Sequence, residues 1–91
     1  MNVYNADELV TKCVEYLRGL PAGTEISTAE IVEEIAGKKH ADLYDLTDIH
    51  YIVMEEAGKE GIMCDSSAYG NMLMGMPYSI PYIVSFNADR N

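Results

Sequence analysis

Leu20-Pro21-Ala22-Gly23-Thr24-Glu25-Ile26-Ser27-Thr28-Ala29-Glu30-Ile31 is the stretch on which the reading of this chain turns. Gly19, Pro21 and Gly23 interrupt any helix that reaches them. Thr24 to Ile26 then has room for a short extended link, with Ile26 turned inward. Ser27 followed three residues later by Glu30 is a capping-box pattern, in which each side chain satisfies a backbone N–H at a helix start. It places Thr28 at the first helical position and aligns Ile31, Val32 and Ile35 on one face until Gly37.

Upstream, Asn5 and Glu8 repeat the device. Leu9, Val10, Cys13, Val14 and Leu17 recur at helical spacing behind them, which predicts a first helix to about Gly19. Downstream, Gly37-Lys38-Lys39-His40 reads as a polar connector. A longer third helix is expected from Ala41 or Asp42, with Leu46, Ile49, Val53 and Ala57 on its core side. Leu43, His50 and Met54 fall at its margin, and Gly58 and Gly61 bracket its end. Residues 62–65, 72–76 and 80–86 then read as strands, separated by Tyr69-Gly70-Asn71 and Pro77-Tyr78-Ser79. Pro81 has no N–H for a ladder and belongs at an edge or a strand start. The expected fold class is α+β: one domain over residues 1–91, with three helices and a small antiparallel C-terminal sheet.

The order helix, short strand, helix, turn, helix, hairpin resembles the winged helix-turn-helix family. Residues 20–31 look like its passage from first to second helix. Glu55-Glu56-Ala57-Gly58-Lys59-Glu60-Gly61-Ile62 is similar to its junction between third helix and first wing strand. The resemblance covers residues 6–87. It implies a three-helix winged-helix-like domain whose third helix enters a DNA major groove while the hairpin, or wing, touches the backbone or minor groove. A DNA-binding transcriptional regulator is therefore one function it implies.

Charge points the other way. From Glu25 to Asp65 eleven acidic residues stand against three lysines, a net of −8, within a chain whose formal charge is −9. From Ser66 to Ala88 there is no charged residue. At about 100° per residue, the face of the third helix opposite its apolar side carries Tyr44, Asp48, Tyr51 and Glu55, with Asp45 and Ile52 beside it. Phosphate binding depends on Lys and Arg that displace counterions, and carboxylates repel the backbone. The wing, residues 66–80, also lacks a cation. Lys38, Lys39 and His40 form a small basic cluster that reads as a solvated turn. Direct DNA binding is not expected.

Reactive constellations are equally sparse. Asp42, Asp45 and Asp48 recur every third residue, a spacing that drifts around a helix and does not converge on one ion. Asp42 and Asp45 are better explained by a first helical turn, where the macrodipole favours carboxylates. His40 and His50 read as structural, and Cys13 and Cys64, fifty-one positions apart, as unpaired thiols in or near a core. No Ser-His-Asp, Cys-His, phosphate-cradling glycine loop or HExxH pattern occurs, so no catalytic residue, metal or cofactor is expected. With 48% hydrophobic residues the chain is too rich in core formers to be disordered. Met1 to Val10 has neither a basic residue nor an apolar run, and no stretch has the length of a membrane span, so a soluble cytoplasmic protein is expected.

The expected partner is another protein. Tyr44, Asp45, Asp48, Tyr51 and Glu55 would present an acidic helix face to a basic surface. Tyr69, Met72, Met74, Met76 and Tyr78 would present an uncharged hairpin to an apolar surface or to a second copy, giving a homodimer, because Met and aromatic residues are enriched where charges are depleted in interface cores. One such role is an inhibitor that mimics the charge of DNA in the basic groove of another protein.

Overall fold

The computed structural model describes residues 4–66 and 77–86. Within them the chain is α+β and winged-helix-like, with helices α1 (Ala6–Arg18), α2 (Thr28–Ala36), α3 (Lys38–Ala41) and α4 (Leu46–Lys59) and strands β1 (Glu25–Ile26), β2 (Met63–Ser66) and β3 (Tyr82–Phe86). The strands lie in the order β1-β3-β2, and both pairings are antiparallel. A 3-10 turn, Pro77–Ser79, packs against α2 and α4.

Local chemistry explains the boundaries. The Asn5 side chain accepts from the Glu8 N–H at 2.8 Å and the Asn5 N–H donates to Glu8 Oε1 at 3.1 Å, a complete capping box for α1. At α2 the box is half made. Ser27 Oγ accepts from the Glu30 N–H, but the Glu30 carboxylate accepts from the Ser27 hydroxyl instead of from its backbone. α4 ends in a Schellman motif: the Ile62 N–H donates to the Ala57 carbonyl at 2.9 Å and the Gly61 N–H to the Gly58 carbonyl at 3.1 Å. Gly61 adopts φ +81°, the left-handed conformation that this closure requires and that glycine enters without a Cβ clash.

Among the described residues most buried side chains form one cluster. Leu9, Cys13 and Leu17 of α1 meet Ile31 and Val32 of α2 and Ile49, Val53 and Ala57 of α4, and Tyr82 and Val84 of β3 close it from the sheet side. The predicted link at 24–26 becomes a structural hinge of that closure. Ile26 pairs with Tyr82 and Glu25 with Ile83, while the Val84 N–H donates to the Thr24 carbonyl and the Gly23 N–H to the Val84 carbonyl. Pro81 directly precedes β3, where its missing N–H costs no ladder bond.

Three expectations need correction. The described residues hold four α-helices, not three, because Lys38, Lys39 and His40 are helical: the His40 and Ala41 N–H groups both donate to the Gly37 carbonyl. The long helix begins at Leu46, not at Ala41 or Asp42, because Asp45 Oδ1 accepts from the Asp48 N–H and caps it there. Asp42 therefore lies in the turn after α3, outside any first turn of α4. The expected strand at 72–76 and the residues Tyr69, Met72, Met74 and Met76 lie outside the described residues.

Urea unfolding should separate core from surface. Leu17→Ala removes a fully buried side chain and is expected to cost about 2–5 kcal/mol. Leu43→Ala, at an exposed position, should stay within about 0.5 kcal/mol of the parent.

Candidate functional site

Rotation of α4 determines which residues reach solvent. Ile49, Val53 and Ala57 are buried, so Asp48, Tyr51, Ile52 and Glu55 face outward. Tyr51 and Ile52 are 60% and 46% exposed, and Leu43, in the turn before α4, is 64% exposed. Leu43 was expected at the apolar margin. It projects outward because the helix has not yet begun at that position.

Tyr44 is likewise not on the helix face assigned to it. It is half-buried, and its hydroxyl donates to the Tyr4 carbonyl at 2.6 Å, which ties the segment before α1 to the turn before α4. Beside this tie runs a groove of about 470 Å³. Tyr4, Asn5 and Ala6 form one wall, and Leu43, Asp45, Asp48, Ile49 and Ile52 line the other. Sequence periodicity missed it, since the pattern of a single helix does not report what packs alongside. The remaining assigned residue of the hairpin, Tyr78, is half-buried in the 3-10 turn against α2 and α4.

The carboxylates of this face differ in what they already hold. Asp45 is engaged as the cap of α4, and Asp48 is exposed in the first turn. Glu55 lies 3.6 Å from Lys59, which also donates to Glu56 at 2.9 Å. Solvent and salt screen exposed pairs of this kind, so a stronger cation displaces them at little cost. Elsewhere Lys12 pairs with Glu15 at 4.0 Å, and Arg18 Nε donates to Glu60 at 3.0 Å, joining α1 to the end of α4. Lys38 and Lys39 line a neighbouring cavity of about 430 Å³ with Glu34 and His40, and Tyr4 borders both this cavity and the groove. Among the described residues no Lys or Arg lines the α4 groove.

Burial governs the titratable groups of the core. Burial pushes the Cys13 thiol up to about 12, and burial together with Asp65 pushes Cys64 up to about 11, so both stay protonated near neutral pH. Burial also raises Tyr82 above the ordinary phenol range. His50 Nδ1 shares a 2.8 Å hydrogen bond with the Thr28 hydroxyl, and its ring lies edge-on to Tyr51 and tilted toward Tyr82. Among the described residues no group of three His, Cys, Asp or Glu side chains is placed to hold a metal ion, and no helix is long and apolar enough to cross a membrane.

No family model matches the chain, and comparison with curated proteins and with solved structures likewise gives no match.

Half-burial of His50 lowers its pKa below the usual 6.5, because desolvation disfavours the imidazolium. An unfolded histidine takes up its proton first as the pH falls, so the unfolded state gains from acid before the folded one does. The contribution is intact above about pH 6.5, declines as the pH drops toward the lower folded value, and levels off below it. Urea unfolding of the parent and of His50→Gln, compared between about pH 8 and about pH 5.5, should show the smaller acid loss in the variant.

Proposed function

We propose that this protein is a non-enzymatic interaction module, in which α4 and the turn before it engage a basic and apolar surface on another protein. The observation that carries the reading is the composition of the exposed face. Leu43, Tyr51 and Ile52 stand in solvent beside Asp45, Asp48 and Glu55, and the basic side chains of α3 lie around a different cavity. Exposed apolar side chains grouped on one face favour contact with a partner. The acids around them select a partner of opposite charge, by steering its approach and by opposing any polyanion. An inhibitor that occupies a nucleic-acid-binding groove in place of DNA fits this combination. The raised thiol pKa values at Cys13 and Cys64 speak against nucleophilic chemistry.

A second reading, a winged-helix transcriptional regulator that binds DNA directly, draws on the arrangement of the elements and on the sequence resemblance at residues 20–31 and 55–62. Its difficulty is energetic: phosphate contacts supply most non-specific affinity, and the exposed face of α4 presents carboxylates, with Lys59 at its end already held by Glu55 and Glu56.

Affinity capture from the native cells should recover proteins with basic surfaces. The double substitution Asp48→Lys and Glu55→Lys should lower that recovery about tenfold. Partners without a basic surface would defeat the mimicry, and retardation of a random DNA duplex at low salt would favour the second reading.

A further inference from the structure

We propose that the groove between the N-terminal segment and α4 receives a cationic amphipathic segment of another protein, which seats an apolar side chain against Leu43 and Ile52 and sets a Lys or Arg between Asp45 and Asp48. The proposal rests on the interaction-module reading above and adds to it a location and a ligand chemistry. Its first support is shape. At about 470 Å³ the groove falls in the range of about 300–1,000 Å³ in which proteins hold small ligands, so it admits individual side chains and not the body of a helix. A helix laid across such a groove inserts residues at positions i and i+3 or i+4, and its own backbone stays outside.

The second support is charge complementarity. Asp45 and Asp48 stand on the groove wall, and Ile49 and Ile52 lie next to them on the same helix. Asp45 accepts one backbone hydrogen bond as the cap of α4, which leaves acceptor capacity on a carboxylate with about four lone-pair sites. A cation placed there meets two acids and, among the described lining residues, no competing Lys or Arg. A second copy of this chain is disfavoured as occupant, because it brings a formal charge of −9 and an uncharged stretch from Ser66 to Ala88. A nucleic acid is disfavoured more strongly, since its phosphates would oppose both aspartates.

Three synthetic helical peptides test this on the full chain: one of Leu and Lys with an apolar and a cationic face, a Leu/Glu counterpart, and a Ser/Lys counterpart of equal charge. Backbone amide shifts should cluster at Tyr4 to Ala6, Leu43 and residues 45–52 with the Leu/Lys peptide. The Leu/Glu peptide should produce none, and the Ser/Lys peptide should bind about tenfold more weakly. Ile52→Asn, and separately Asp45→Asn with Asp48→Asn, should each weaken the Leu/Lys peptide about tenfold. Asn is as good a helix cap as Asp, so the second variant keeps the start of α4. Absence of binding by the Leu/Lys peptide, equal binding by the Ser/Lys peptide, or indifference to both variants overturns the proposal. Shifts confined to another face overturn the groove and leave the broader reading standing. Capture of cellular partners that charge reversal on α4 does not weaken defeats that broader reading by itself.

Discussion

Burial of Ile49, Val53 and Ala57 against α1 and α2 fixes the rotation of α4, and everything proposed for this protein follows from that constraint. A helix has only one angular setting that hides these three side chains together, and about 100° per residue then dictates the outward set. Asp48, Tyr51, Ile52 and Glu55 have no freedom to retreat. The Asp45 cap sets where the helix starts, and the Ala57–Ile62 hydrogen bond sets where it stops. Between these two ends the exposed face is as firmly placed as the core.

Much of this was legible. The caps at Asn5 and Ser27, the breaks around Gly19 to Gly23, the terminator at Gly61 and the buried stripe of α4 are local features, each decided by residues within one or two turns. The start of α4 was misread because the apolar period was followed back through Leu43 to Asp42. Asp45-Leu46-Thr47-Asp48 carries the same signal as Asn5 to Glu8, a capping side chain with an acid three residues on, and would have given the boundary. The antiparallel engagement of residues 23–26 with β3, the Tyr44–Tyr4 tie and the groove were not legible in the same way. Each joins segments about forty or more residues apart in sequence, and no local pattern encodes such a pairing.

The chain sustains its charge because acids and core occupy different places. Among the described residues the buried cluster contains no Asp, Glu, Lys or Arg, while the carboxylates lie on surfaces where dissolved salt screens them over a Debye length of about 8–10 Å. Lys12, Arg18 and Lys59 sit beside acids and soften the repulsion locally. Such pairs hold little free energy each, which keeps the acids available to a stronger cationic partner.

Acidity alone is weak support for a binding face, because several of these carboxylates have structural employment. Asp45 caps α4, Asp48 sits where the helix dipole favours a negative group, and Glu55 is tethered by Lys59. A fold needing only those roles would have no use for solvent-facing Leu43, Tyr51 and Ile52 in the same neighbourhood. Single exposed apolar residues are ordinary on protein surfaces, but two of these three line one groove and the third is adjacent in sequence to one of them. The apolar side chains therefore give the face its drive to be covered, and the acids restrict what can cover it. A neutral greasy partner would strand Asp45 and Asp48 against a surface unable to solvate them, and a polyanion would meet their charge directly. A partner both cationic and apolar satisfies the two demands at once.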